Sequence, residues 1–372
     1  MREIKKRTVR AAVCATLLSG MAATAAADDI SYSISGYGTL GGSFTSDNQY
    51  VYHHDGNEFT GADEQFDIAL ESRLGLQAIV DFGSGFSVTA QELIRQRGSD
   101  QFSLGTEWLY VQYAPDSHWK LRVGRVALAA FLLSDVRNVG YAQPWFRQPN
   151  EVYAAQSFQS LNGGQALYHT DLGPIGLNLE GAFGNSTEQY YLSGVQTVNA
   201  KNAYNVAVSV EYSNFLVRFA QTMLNLPNTI PLAPDVSVTY ANHDKFNSVG
   251  FQYDDGKAIV LSEWAKRTEN DVPLINKPAA ASTQWYVAGG WRFGPLTPLV
   301  SYAVENVNTA AFAPVGSFHS WNGSLRYDVV RNIALKAQVS RAQAGNPEYW
   351  VTPNLASHEW VSVYSLGADF VF

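Results

Sequence analysis

From Ile30 to the end of this chain, apolar side chains recur at every second residue in segment after segment, and the connections between segments alternate between short and long. The segments are 30–44, 66–80, one opening at Phe86, then 106–114, 119–126, 165–170, 176–183, 203–212, 215–223, 246–253, 257–267, 283–293, 297–304, 320–328, 333–341 and 360–372, sixteen in all. Tyr204/Val206/Val208/Val210/Tyr212 and Ile333/Leu335/Ala337/Val339 show the pattern plainly. Period 2 is the signature of a strand with unlike faces. The short connections are Asp81–Gly85, Pro115–His118, Asp171–Ile175, Ser213–Asn214, Asp254–Gly256, Gly294–Leu296 and Val329–Asn332. The long ones are 45–65, 98–105, 127–164, 184–202, 224–245, 268–282, 305–319 and 342–359. A sheet in water has no reason to keep such a rule. A barrel crossing a bilayer has one, with tight turns at one end, long loops at the other and an even strand number. Closure also leaves no unpaired edge in hydrocarbon. The expected fold is therefore all-β, one sixteen-stranded antiparallel transmembrane barrel over 28–372, with both termini at the tight-turn end.

Two strands resist the pattern. In 106–114, Trp108/Tyr110 and Leu109/Val111/Tyr113 are apolar on both parities, and the parity of the third strand slips at Glu92-Leu93, through a bulge or the membrane edge.

The composition fits a barrel and excludes other classes. Charged residues are only 16% and aromatics 13% of 372 residues. Past the N-terminus the longest apolar run is Val126–Leu133, far short of the ~20 residues a spanning helix needs. Arg2, Lys5, Lys6, Arg7 and Arg10 precede an apolar stretch, Ala11–Ala23, and a small-residue site, Ala25–Ala27. That is the layout of a cleaved export signal over 1–27. Its removal takes away Cys14, the one cysteine, so no disulfide or thiolate metal site is expected. It also leaves 20 Lys and Arg against 32 Asp and Glu, a net of −12, which argues against nucleic-acid binding.

The last strand is Trp360-Val-Ser-Val-Tyr-Ser-Leu-Gly-Ala-Asp-Phe-Val-Phe372. Phe372, Phe370, Ala368, Leu366, Tyr364 and Trp360 share one face; Asp369, Gly367 and Ser365 lie on the other. A final strand ending on Phe, with aromatics at alternate positions before it, resembles the closing strand of Gram-negative outer-membrane barrels. There Phe372, Phe370 and Tyr364 would be read by the assembly machinery. Taken with the signal and the alternating connections, the mature chain resembles the porins. The resemblance implies an outer-membrane homotrimer, short periplasmic turns, long extracellular loops, a third loop folded into the lumen, and passive diffusion of small hydrophilic solutes and ions, without catalysis or cofactor.

The segment most able to carry function is 119–164. Trp119-Lys-Leu-Arg-Val-Gly-Arg-Val126 resembles the porin strand that enters the third loop. The loop that follows, 127–164, is the longest in the chain, and loops of that length are usually functional. It would either constrict the lumen or cap a subunit. Ala127–Leu133 is expected to form a short helical turn against the inner wall, and Asp135, Arg137, Arg147 and Glu151 are the loop's candidate pore charges. On the wall, Arg73, Arg95, Lys120 and Arg122 have inward parity on strands expected to be consecutive, forming a basic ladder. Arg125 has outward parity and would turn inward or snorkel. Charged rings of this kind select ions in wide channels. Acids Asp67 and Glu71 on the wall would otherwise simply neutralise these bases.

Two other functions are considered. A substrate-specific channel would grip an organic solute with Tyr141, Trp145, Phe146 and Tyr153. An outer-membrane hydrolase would use His169 as a base, but no G-x-S-x-G occurs. The histidines show no H-x-x-x-H spacing, and His53-His54 is expected to be a solvated loop pair rather than a metal site. Gly36-Tyr-Gly38-Thr-Leu-Gly41 matches a dinucleotide fingerprint, yet strand alternation runs straight through it where that motif needs a helix.

Overall fold

The computed structural model describes residues 30–372 apart from 55, 59, 99, 192–194, 234–235, 273–276, 279, 311–315 and 354–357. The expected export signal and Cys14 lie outside these residues. Sixteen strands close into one antiparallel barrel in which sequence neighbours are always spatial neighbours. They are β1 Ser31–Thr45, β2 Arg73–Gly83, β3 Phe86–Arg97, β4 Asp100–Tyr113, β5 Trp119–Ala127, β6 Ser160–Leu172, β7 Ile175–Tyr191 and β8 Val195–Tyr212. β9 Phe215–Ala233, β10 Val236–Asp254, β11 Ala258–Thr268, β12 Ala280–Trp291, β13 Leu296–Ala310, β14 Gly316–Val330, β15 Ile333–Gln343 and β16 Trp360–Val371 complete it.

The two ends of the chain make the closure. Tyr37 faces Val371 and Phe44 faces Tyr364. Phe372 then exchanges both backbone hydrogen bonds with Gly36, at 2.8 and 2.9 Å. The rings of Phe372 and Phe370 occupy the space where Gly36 and Gly38 would carry a Cβ. The fingerprint-like glycines thus sit in mid-strand, where any side chain would displace the closing aromatics.

Along β15, Ile333, Leu335 and Val339 are exposed on the outer face, whereas Lys336, Gln338 and Ser340 are buried on the inner one. Aromatic side chains gather near both rims. Phe86–Tyr113, Trp119–Tyr168 and Phe215–Tyr253 pair at the tight-turn end. Phe44–Tyr364 and Trp285–Tyr302–Trp321 lie at the loop end. Trp285 and Trp291 are separated by six residues of β12, or ~20 Å of strand at ~3.4 Å per residue. Such girdles flanking an apolar band are what a membrane barrel presents to lipid.

The structure moves several boundaries: β4 already begins at Asp100, within the long connection expected over 98–105, and β6 begins at Ser160 rather than 165. β2 starts at Arg73, not 66, because Asp67 Oδ1 accepts from Leu70 N (2.9 Å) and Ile68 O from Ser72 N (3.1 Å). That turn leaves Phe66 and Ile68 exposed and buries Leu70 and Glu71. The connections 184–202 and 224–245 are mostly strand: β7 and β8 pair as far as Tyr191–Val195, and β9 and β10 as far as Ala233–Val236. Beyond lipid both faces of a hairpin are wet, so apolar alternation stops while the hydrogen-bonded ladder continues. The double parity of 106–114 is a β-bulge in β4, whereas β3 does not slip at Glu92-Leu93: Ser87, Thr89, Gln91 and Leu93 are all buried and Ile94 is exposed. Gln91 faces Trp108 but Glu92 faces Thr106, leaving Glu107 as the extra residue. Phe102 and Leu104 are exposed before it, and Leu109, Val111 and Tyr113 after it.

Candidate functional site

The third loop, residues 128–159, lies inside the barrel and supplies nine of the 25 residues of its main apolar core. Phe131, Trp145, Val152 and Tyr153 pack against Phe246, Leu261, Tyr286 and Ala303 of the far wall. At about 2 kcal/mol for each large apolar side chain buried, this docking is substantial. The segment after Ala127 packs as expected but is not helical, since wall side chains bind its backbone instead. Ser248 Oγ donates to Ala130 O (2.6 Å), Asn205 Nδ2 to Ala129 O (3.3 Å), and Leu132 N donates to Glu263 Oε2 (2.9 Å). Its helical turns come later, at Ser134–Val136, Gly140–Ala142 and Asn150–Tyr153.

Two polar clamps place the loop. Lys336 Nζ donates to Gly140 O, Gln143 O and Trp145 O at 2.7, 2.7 and 2.9 Å. With its three N–H groups directed at carbonyls, the ammonium also meets Asp369 Oδ2 at 2.8 Å. The second clamp joins the first loop, the third loop and the wall. Arg147 donates to Glu71 Oε1 and to Ser365 Oγ, both at 2.7 Å, and its guanidinium lies 4.5 Å over the Tyr52 ring. His54 completes it, 2.9 Å from Glu58 and 3.2 Å from Glu71.

Burial lowers the pKa of His54, but Glu58 and then Glu71 outweigh it and bring it up to about 9. Burial likewise raises Glu71, and Arg147 and then His54 reverse that, holding it below the usual carboxylate range. A histidine whose pKa is raised by folding contributes stability that is complete below about 6.5 and lost as pH rises through about 9. The full shift corresponds to about 3 kcal/mol. His54 is 21% exposed, so about 1–2 kcal/mol is the expected loss. Unfolding followed from pH 6 to pH 10 should show this fall in the native protein and a fall smaller by about 1–2 kcal/mol in His54→Gln. Equal slopes in the two proteins would remove His54 from the account.

The expected pore residues divide. Arg73, Arg95, Arg137 and Arg147 line one cavity of about 70 Å3 between the first and third loops and the wall. Arg137 is held there by Gln156 O and Tyr153 O, both at 2.9 Å. Arg122 lies lower on β5, bonded to Gln112 (2.9 Å) and Gln165 (3.2 Å) and stacked on Tyr110. Lys120, nearer the tight-turn end, is exposed. The ladder is not on consecutive strands, because β4 lies between Arg95 and Lys120 and carries Glu107, which pairs with Arg97 at 2.6 Å. Arg125 turns inward, and its charge bears on Glu107 and Glu188. Gly124 permits this: its φ is +137°, and a Cβ there would strike Leu109 O.

Arg147 and Glu151 are buried rather than open to the lumen. Burial raises the Glu151 carboxyl, against a hydrogen bond from Ser320, so it is a poor counter-charge to the basic ladder. Asp135 is exposed. Nor do the aromatics proposed to grip a solute face the path: Trp145, Phe146 and Tyr153 are 1, 3 and 3% exposed. The Tyr141 hydroxyl is tied to Arg331 O. His169 meets Asn178 Oδ1 at 2.8 Å and Asp171 at 3.7 Å. Glu107, Arg97 and Lys336 carried no mark in the sequence beyond the double apolar parity of 106–114 around Glu107.

A model of Gram-negative porins matches residues 11–347. The chain belongs to the Gram-negative porin family. This porin superposes on the trimer form of OmpT from Vibrio cholerae with a TM-score of 0.61 at 11% identity, over 93% of this chain and all of that one. An anion-selective porin from Comamonas acidovorans gives 0.60 at 13%, over 92% and 100%. OmpF of Salmonella typhi, in complex with daunomycin, gives 0.59 at 12%, over 92% and 97%. No curated protein sequence matches it. Family and barrel together make it an outer-membrane porin, a channel for small hydrophilic solutes.

Proposed function

We propose that this porin is a passive, non-enzymatic channel with a preference for anions, exported through residues 1–27 and assembled as a homotrimer. The observation carrying the preference is the arginine wall opposite the third loop: Arg73 and Arg95 on the cavity, with Arg97 and Arg125 around Glu107. Asp135 is the acid that the loop turns toward them, at the small gap it shares with Tyr37, Gln91 and Glu107. The global charge of the mature chain points the other way. Salt screens those loop charges beyond ~8 Å, whereas a narrow section lies within one such length of its own wall. Support for assembly is the trimer form of the Vibrio protein.

The test is a reversal potential in a potassium chloride gradient. Replacing Arg95 and Arg125 together by Gln should move the permeability ratio several-fold toward cations. Lys120→Ala, at the exposed end of β5, should move it less, as should Glu359→Gln in the last loop. A larger effect from Glu359 than from the arginine pair would place the selecting section at the mouth.

A further inference from the structure

Outside the lumen, one arc of the wall carries charge of a single sign. On β10 the run His243-Asp244-Lys245 alternates outward, inward and outward. Asp244 is buried and meets Arg267 of β11 on the inner side at 3.2 Å. Lys245 shares the outer face with exposed Val249, and Lys266 of β11 shares it with exposed Trp264. On β8 Lys201 is exposed too, opposite Asn225 of β9. Among the described residues, the outer face of β8–β11 at the loop end carries no carboxylate, and none of these three ammonium groups meets one.

The strand register gathers the cations. Asn247 faces Lys266 across the β10–β11 ladder, and Lys245 faces Thr268. Side chains directly opposite start about 5 Å apart and diagonal ones about 7–8 Å. Lys245, Asn247 and Lys266 therefore form a triangle that one phosphate can span. Asn247 is oriented for it, because its Oδ1 accepts from Gln221 Nε2 at 2.7 Å and leaves its own Nδ2 to donate. Asn225, opposite Lys201, in turn faces His243 and is hydrogen-bonded to it. Two strand spacings and one step along β10 put Lys201 about 12 Å from Lys245, within reach of a second anionic group on the same molecule. The height is that of lipid headgroups. Trp264 faces Trp285 in the loop-end girdle, and Lys266 lies two residues beyond it, about 7 Å along the strand.

We propose that this arc of β8–β11 is a docking site for a phosphorylated glycolipid of the outer leaflet. Lys245, Lys266 and Asn247 hold one phosphate, and Lys201 meets a second anionic group. Ammonium–phosphate hydrogen bonds are charge-assisted, and a face without acids offers the anion no repulsion. Thr268 and Thr283, on the same face beside Lys245 and Lys266, supply the hydroxyl partners that a sugar uses. Phe219, Val249 and Trp264 are exposed immediately below and receive the acyl chains. The site lies outside the lumen, so it stands independently of the selectivity proposed above.

The experiment titrates the full protein in detergent micelles with diphosphoryl lipid A, its dephosphorylated form or phosphatidylglycerol, and counts bound lipid by native mass spectrometry. Diphosphoryl lipid A should bind saturably and at least about tenfold more tightly than either other lipid. Replacing Lys201, Lys245 and Lys266 together by Gln should weaken it on the order of a hundredfold, or about fivefold for each lysine near an anionic headgroup. The single variant Lys266→Gln, about fivefold weaker, gives the same reading without the triple change. Arg at all three positions should retain most of the binding, and Lys257→Gln at the tight-turn end should retain all of it. Conductance of the Gln variant should match that of the native protein, since no lumen residue changes. Equal binding of diphosphoryl lipid A by the native protein and the Gln variants overturns the proposal. So does binding of the dephosphorylated lipid or of phosphatidylglycerol as tight as that of the diphosphoryl form. Either result leaves the channel reading standing.

Discussion

Lys336→Met is expected to lower stability by about 3–5 kcal/mol and, in the same protein, to raise single-channel conductance and open-state noise. The first effect follows from Asp369, which keeps its buried carboxylate beside Thr39 (2.5 Å) but loses its cation. The second follows from Gly140, Gln143 and Trp145, whose carbonyls lose the ammonium that gathers them. Arg326 still donates to Tyr141 O (2.6 Å) and Gln143 O (2.9 Å). The aromatic docking of Phe131 and Tyr153 also remains. The loop is therefore loosened over 140–147 rather than expelled. Adding Asp369→Leu separates the two effects. With both charges gone the burial penalty disappears and much of the stability should return, yet the carbonyls still lack their donor and the conductance should stay high. If the double variant recovers both properties, the clamp acts through the ion pair and not through the loop backbone.

The same residues show what the sequence could and could not reveal. Alternation is written one residue at a time, so the lipid-facing parts of β8 and β15 were legible from Val206–Tyr212 and Ile333–Val339 alone. The rule of short and long connections then gave strand number and closure. Where strands leave lipid, as in β7 and β10, the apolar half of the signal ends and the true length was hidden. Inside the lumen the failure is of another kind. Arg147 and Asp135 look alike in sequence, but one is buried in a clamp and the other exposed. What separates them is a partner more than seventy residues away, Glu71. Lys336 looked like one more wet charge of an inner face. Its role depends on where the third loop lies, and no local pattern encodes that.

Glu71→Gln should produce the other large effect, again about 3–5 kcal/mol, because it leaves the buried Arg147 guanidinium without its counter-charge. It should differ from Lys336→Met in its pH behaviour. Glu71 is one of the two carboxylates that raise His54, so its loss also shrinks the fall in stability between pH 6.5 and 9. Arg147→Lys should lose nearly as much despite keeping the charge. One arm of the fork serves Glu71, the other Ser365, and the plane lies on Tyr52; an ammonium matches neither the fork nor the stack. Glu71→Gln combined with Arg147→Met should be less damaging than the sum of the two, since the second change removes the charge that the first strands. Unfolding of the native protein, Glu71→Gln, Arg147→Lys, Arg147→Met and the double variant at pH 6.5 and 9 decides the matter. If Glu71→Gln unfolds within about 0.5 kcal/mol of the native protein, as an ordinary surface change does, the first loop is not held through this network. The third loop would then rest on its apolar docking and on Lys336 alone.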